Sequence, residues 1–208
     1  MATEPVVFII DDDPSVRRSL ERLLKSVGLV TESFATAREF LQRGHCEEPG
    51  CVVLDVRMPE LRGLELQEKL AKAGICLPII FISGHGTVSM SVRAMKAGAL
   101  DFLMKPFDEQ DLLDAIQRAL ERSRLEKTER EELHAIQERA LSLSPREREV
   151  FSLVVSGLLN KQIADRLNTT EKTIKVHRAA VMAKMNAPTL ADLVRMAAKT
   201  DVPPHPMK

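Results

Sequence analysis

Asp11 and Asp12 follow the apolar run Val6-Val7-Phe8-Ile9-Ile10, Asp55 follows Val52-Val53-Leu54, and Lys105 follows Asp101-Phe102-Leu103-Met104 and precedes Pro106. If those runs are parallel strands of one sheet, each charge lies outside the carboxyl ends of the strands, where open α/β sheets bind ligands. Three carboxylates and one lysine would then share a pocket. Adjacent carboxylates repel each other, and the third at Asp55 makes the cluster costly unless a cation binds. Oxygen-only donors suit Mg²⁺ (or Mn²⁺), which combines one or two carboxylates with phosphate oxygens. An Asp carboxylate can also attack a phosphoryl donor and become an acyl phosphate. The metal and Lys105 would offset charge on the group in transfer.

From residue 5 to about 120, short β-branched runs alternate with amphipathic stretches, which predicts βα units around a parallel sheet. Strands are expected at Val6–Ile10, Val30–Phe34, Cys51–Asp55, Ile79–Ser83 and Asp101–Met104. Between them, apolar residues recur at helical spacing: Val16, Leu20, Leu23 and Leu24 in the first helix, Leu64, Leu66 and Leu70 in the third. Asp13 should cap the first helix, before Pro14, and Asp101 should start its strand. The runs at Val6–Ile10 and Cys51–Asp55 are apolar throughout, as central strands buried on both faces are. The fold class is α/β, a five-stranded, parallel, doubly wound, flavodoxin-like sheet.

No Gly or Pro interrupts the chain between Pro106 and Pro145, and Asp108 can cap a helix with Asp111 at N3. This predicts one long helix of roughly 30 residues. Leu112, Ile116 and Leu120 give its first turns an apolar face, while residues 121–132 are mostly charged and should be solvated or paired with another chain. The remainder is all α. Ser144-Pro145-Arg146-Glu147 joins an N-cap serine, an N1 proline and an N3 glutamate, in a helix that runs to Ser156-Gly157. Asn160 is expected to cap a short helix, Lys161–Leu167, with Ile163, Ala164 and Leu167 inward. Asn168-Thr169 makes a turn, Thr170 caps a third helix through about Met185, and Thr189 with Asp192 starts a fourth. Two short helices joined by a tight polar turn form a helix-turn-helix candidate. The expected division is 1–120 for the α/β domain, 121–141 for a helical linker and 142–208 for the four-helix domain.

The net charge of zero conceals an asymmetry that fits this division. Residues 1–120 hold 14 Lys+Arg against 18 Asp+Glu, and residues 142–208 hold 11 against 6. The acidic end and the basic end should therefore have different partners, the basic one nucleic acid. With no Trp or Tyr and only 3% aromatics, the chain lacks the platforms on which single-stranded bases stack. No apolar run approaches a membrane span, so the expectation is a cytoplasmic protein with no membrane partner. Cys46, Cys51 and Cys76 match no zinc spacing and are expected to be buried free thiols.

Phe8-Ile9-Ile10-Asp11-Asp12-Asp13, Val53-Leu54-Asp55-Val56-Arg57-Met58-Pro59, Ile82-Ser83-Gly84-His85-Gly86 and Phe102-Leu103-Met104-Lys105-Pro106-Phe107 resemble the receiver domain of bacterial two-component response regulators. The resemblance spans residues 5–120 in the family's order. It implies that Asp55 is the phosphoacceptor. It implies further that Asp12 and Asp55 ligate Mg²⁺ with the backbone carbonyl of Arg57, Asp11 assisting through water. Ser83 becomes the hydroxyl that meets the phosphoryl group, Phe102 the rotameric switch, and Lys105 the partner of Asp55 or its phosphate. The Lys105–Pro106 bond is often cis in this family. His85 reads as a loop residue near the site.

Ser144-Pro145-Arg146-Glu147-Arg148-Glu149-Val150, Gly157-Leu158-Leu159-Asn160-Lys161-Gln162-Ile163-Ala164 and Thr173-Ile174-Lys175-Val176-His177 resemble the LuxR-type helix-turn-helix over about residues 142–200. With the receiver, this is similar to the FixJ/NarL subfamily. Ile174, Val181 and Met185 space like an inward face, and a helix of this width fits the major groove. The resemblance places Lys175, Val176 and Ala179 against bases, and Asn160, Lys161, Thr170, Lys172, His177 and Arg178 on the phosphate backbone. Glu147 reads as a capping-box residue.

The reading that follows is a phosphorylation-activated, DNA-binding transcriptional regulator. Its partners are a sensor histidine kinase, double-stranded promoter DNA, RNA polymerase and, on phosphorylation, a second copy of itself. It is not an enzyme with a diffusible product, although a receiver catalyses its own phosphorylation and dephosphorylation. Two alternatives stand beside it, an aspartyl-nucleophile phosphohydrolase and an RNA-binding antiterminator.

Overall fold

The computed structural model describes residues 4–44, 48–58, 63–72, 75–84 and 87–200. It divides into two units, residues 1–127 and 128–208. In the first, β1 (Val6–Ile10), β2 (Val30–Phe34), β3 (Gly50–Asp55), β4 (Ile79–Ser83) and β5 (Asp101–Met104) form one sheet in the order β2-β1-β3-β4-β5. All the pairings are parallel, with Ile10 opposite Leu54, Asp55 opposite Ile82 and Ser83 opposite Met104. β3 begins one residue earlier than expected, at Gly50; the other strand limits agree with the sequence reading.

Alternation along the strands supplies two cores. Phe8, Ile10, Val52, Leu54 and Phe81 face one way, onto Phe40, Leu66, Leu70 and Ala94 from α2 (Ala37–Arg43), α3 (Gly63–Lys72) and α4 (Val88–Lys96). Val7, Ile9, Val53, Ile80 and Ile82 face the other way, onto Leu20 and Leu24 of α1 (Pro14–Ser26) and Leu112, Ala115, Ile116 and Ala119 of α5 (Glu109–Leu141). Each large side chain buried in this way contributes about 1.5–3 kcal/mol. Burial on both faces is why β1 is apolar throughout and why β3 and β4 carry a polar side chain only at their carboxyl ends, Asp55 and Ser83.

Local signals set the helix starts. Asp13 caps α1 by accepting from Ser15 N–H at 2.7 Å, and Asp108 accepts from Gln110 N–H at 2.8 Å at the start of α5. α5 is a single helix of 33 residues. Gly50 starts β3 where no side chain fits: a Cβ there would lie 2.4 Å from the Val6 carbonyl oxygen and 3.1 Å from Phe8. Its N–H donates to the buried Ser123 Oγ at 3.0 Å, which ties α5 to the amino end of β3.

Of the two described cysteines, Cys51 is buried as expected and Cys76 is not. Cys51 is buried, and burial pushes its thiol far above the ordinary range. Cys76 is exposed, because Ile75 and Leu77 on either side of it pack on the core and alternation turns the residue between them outward. Cys46 lies outside the described residues.

In the second unit α6 (Pro145–Val155), α7 (Asn160–Arg166), α8 (Glu171–Met185) and α9 (Leu190–Ala197) close on Val150, Phe151, Ile163, Ile174, Val181, Met185 and Leu193. Ile136 and Ala140, late in α5, join that core. Ser144 and Glu147 form the expected capping box, Thr170 caps α8, and Thr189 with Asp192 forms a second box. One cap differs. Leu159 occupies the N-cap of α7, its N–H donating to Gln162 Oε1 at 2.8 Å, and Asn160 is the first helical residue. The Gln162 side chain supplies the cap, which leaves the Asn160 carboxamide for another partner. Among the described residues no helix is long and apolar enough to cross a membrane.

Candidate functional site

β1 and β3 end side by side, so Asp11 and Asp55 emerge together at the carboxyl edge of the sheet. Both are buried. Lys105, just past β5, reaches back to place its Nζ 2.7 Å from Asp11 Oδ2 and 3.2 Å from Asp55 Oδ1. Asp11 is held at every acceptor, since Asp13 N–H donates to its Oδ1 at 2.9 Å and the Arg17 guanidinium to its carbonyl at 2.6 Å. Asp55 Oδ2 accepts from Arg57 N–H at 2.7 Å.

The electrostatics follow from this packing. Burial raises the Asp55 carboxyl above its ordinary range, against the opposing pull of Lys105 and of the Arg57 N–H. Burial also acts to lower Lys105, but the hydrogen bond to Asp11 and the charges of both carboxylates outweigh it and hold the ammonium above its usual value. Asp55 is therefore a buried carboxyl group that shares one lysine with Asp11.

The predicted set is only partly brought together. Asp12 is exposed and its side chain pairs with no described residue, so the three carboxylates do not share one enclosed pocket. Among the described residues no three His, Cys, Asp or Glu side chains already converge as a metal cage. Ser83 is buried at the end of β4, between Asp55 on β3 and the end of β5. Phe102 is half-buried, with its ring 6.2 Å from that of Phe81. The Lys105–Pro106 peptide is cis. Pro59, His85 and Gly86 lie outside the described residues. No periodicity marks the 2.6 Å Arg17–Asp11 bond or the 2.6 Å Arg118–Asp101 ion pair; the only local signal for the first is the arginine pair that follows the acidic triplet.

In the second unit, Ile174, Val181 and Met185 are fully buried, and the opposite side of α8 is open. Lys161, Thr170, Lys172, Lys175, Val176 and Ala179 are exposed, while Asn160, His177 and Arg178 are half-buried. Arg178 donates to Asn160 Oδ1 at 3.1 Å and so joins α7 to α8. Lys184 donates to Glu147 Oε2 at 2.6 Å, a pairing that periodicity does not reveal. That bond and the Ser144 N–H bring Glu147 down to about 2.

Residues 7–117 match the response regulator receiver domain family, and residues 141–197 match the bacterial regulatory proteins of the luxR family. The chain belongs to the two-component response regulators. This response regulator is 49% identical over 196 residues to Nodulation protein W of Bradyrhizobium diazoefficiens, covering 94% of this chain and 86% of that one. It is 43% identical over 198 residues to the transcriptional regulatory protein FixJ of Azorhizobium caulinodans, covering 95% and 94%. Among solved structures, the response regulator StyR superposes with a TM-score of 0.86 at 47% identity, covering 95% of this chain and all of that chain. The response regulator is thus a FixJ-like transcriptional regulator under phosphorylation control, with a kinase as partner and DNA as target. Its family is one of transcriptional regulators, not of classical enzymes, which sets the phosphohydrolase alternative aside. Receiver domains generally bind Mg²⁺ at their acidic site.

Proposed function

We propose that Asp55 accepts a phosphoryl group from a sensor histidine kinase and that the charge it gains switches DNA binding by α7 and α8. The observation that carries this reading is the setting of Asp55: buried at the end of β3, one oxygen on Arg57 N–H and the other on Lys105. A carboxylate oxygen attacks phosphorus, the bond from phosphorus to the donor histidine nitrogen breaks, and its electron pair stays on the imidazole. Lys105 follows the growing negative charge. Attack by water on the same phosphorus breaks the acyl-phosphate bond and restores Asp55.

The donor set fits a hard divalent cation: two buried carboxylates share one ammonium, and Asp12 beside them is uncommitted. Asp12, Asp55 and the Arg57 carbonyl, with Asp11 through water, would hold Mg²⁺ (or Mn²⁺). Charge neutralisation on the transferring oxygens is what such an ion supplies. Ser83 and Phe102 respond to the phosphoryl group from the neighbouring strands, Ser83 by hydrogen bonding and Phe102 by changing rotamer.

The added charge, about −1.5 to −2, biases the face made by α4, β5 and the start of α5. Val88, Val92, Met95 and Met104 are exposed there, which supports dimerisation on that face after phosphorylation, and Leu190 and Val194 on α9 support a second contact. In the dimer Lys175, Val176 and Ala179 face bases, and Asn160, Lys161, Thr170, Lys172, His177 and Arg178 the backbone. The working division is a receiver over 1–120, a helical linker over 121–141 and the DNA-binding domain over 142–208, in a cytoplasmic protein that acts on RNA polymerase.

The test uses the intact chain with acetyl phosphate and Mg²⁺, then footprinting on genomic fragments with and without that donor. One phosphoryl group per chain, absent from Asp55→Asn, and stronger protection with the donor are expected. Equal occupancy with Asp55 phosphorylated removes the switch, and preference for RNA hairpins over duplex DNA removes the output reading.

A further inference from the structure

Counted at about 100° per residue, the buried Ile174, Val181 and Met185 lie on one side of α8, and Lys172, Val176, Ala179 and Ala183 lie diametrically opposite. Those four are exposed, Val176 by 64%. After its first lysine, the outermost stripe of this basic unit is therefore aliphatic and small. The hydrogen-bonding groups nearby are mostly committed. Arg178 is bonded to Asn160, the Thr173 hydroxyl to that of Thr170 at 2.9 Å, and Lys184 to Glu147. Lys172 and Lys175 remain as long, exposed donors, and Glu171 lies off the stripe.

Resting on the DNA-binding reading above, we infer that α8 recognises thymine methyl groups through Val176, Ala179 and Ala183. Lys175 beside the stripe meets an adjoining guanine or phosphate. Thymine alone presents a methyl group in the major groove, and apolar side chains are its natural partners. Small side chains also let the helix axis come close to the base edges. Val176 to Ala183 spans about 10 Å along the helix, or about three base-pair steps of 3.4 Å. The stripe thus reads a short A·T-containing core by apolar contact instead of by bidentate hydrogen bonds.

The probe is a duplex selected from a random pool by the intact chain in the presence of acetyl phosphate, with its thymines then replaced one at a time by deoxyuridine. This removes the methyl group and keeps every hydrogen-bonding edge. Anisotropy titrations at one fixed salt concentration should show about fourfold weaker binding per contacted methyl, at two or more neighbouring positions. V176A, at an exposed site that leaves the core intact, should bring the thymine-to-uracil ratio close to one at one of those positions. K175A should weaken binding without changing that ratio. Sequence-selective binding with no position sensitive to deoxyuridine would overturn the inference and leave the DNA reading intact. Failure to select any duplex would overturn both.

Discussion

Lys105 is bonded to Asp11 at 2.7 Å, across 94 residues of sequence, and this contact is shorter than the 3.2 Å one it makes to Asp55. The lysine is anchored on one carboxylate and shared with the other. Asp55 therefore competes with a fixed neighbour for its cation.

Removing that cation should leave two buried carboxylates facing each other. Lys105→Met is expected to destabilise the receiver by about 1–3 kcal/mol, the cost of leaving buried polar groups without a partner. Asp11→Asn should recover part of this in the double variant. Urea titrations of the four proteins of the cycle measure the coupling, and strictly additive effects would contradict it.

Asp55 carries the opposite sign from a salt-bridged surface Asp. Its folded-state pKa is raised above the ordinary 3.8, so the folded chain binds the proton more tightly than the unfolded one. The associated stability is present below that value and is lost as pH rises through the folded pKa. Asp55→Asn should accordingly raise the urea midpoint of the receiver at pH 7 and change it little in acid. A lower midpoint at pH 7 would show that the ionised carboxylate is a net stabiliser.

Glu147 behaves the other way. Its pKa is depressed from 4.5 to about 2, first by the hydrogen bond from Lys184 and then by the Ser144 N–H. Its contribution is present above 4.5 and lost as pH falls from there towards 2. The helical unit should lose stability across that window, and Glu147→Gln should flatten the loss. Circular dichroism melts between these pH values compare the two proteins.

Gly50→Ala should cost about 1–3 kcal/mol, because a methyl group 2.4 Å from the Val6 carbonyl must push the strands apart. Ser123→Ala removes the partner of the same residue's N–H and should cost about 1 kcal/mol. Chemical denaturation of each variant, followed by hydrogen exchange at the start of β3, checks both.

Much of this was written locally. Central parallel strands are buried on both faces, so Val6–Ile10 and Ile79–Ile82 show as unbroken apolar runs. Asp13, Asp108, Ser144, Thr170 and Thr189 cap helices because their own side chains reach N–H groups two or three residues on. Asn160 suits a cap by type, yet Gln162 supplies the capping oxygen from within the helix. Cys76 is exposed in an apolar stretch because sequence neighbourhood does not say which of three adjacent residues turns inward.

The sequence by itself determined the element order, most of the helix starts and the charged residues at the strand ends, since these rest on periodicity and short-range hydrogen bonds. Only the tertiary structure decided that Lys105 prefers Asp11, that Asp11 is buried while Asp12 is exposed, that Arg178 is taken by Asn160 and that Ser123 receives Gly50 N–H. These contacts join residues 18 to 94 positions apart, and which partners meet is set by strand order and helix packing. A donor such as Lys105 or Arg178 has several acceptors within the length of its side chain. Packing chooses among them.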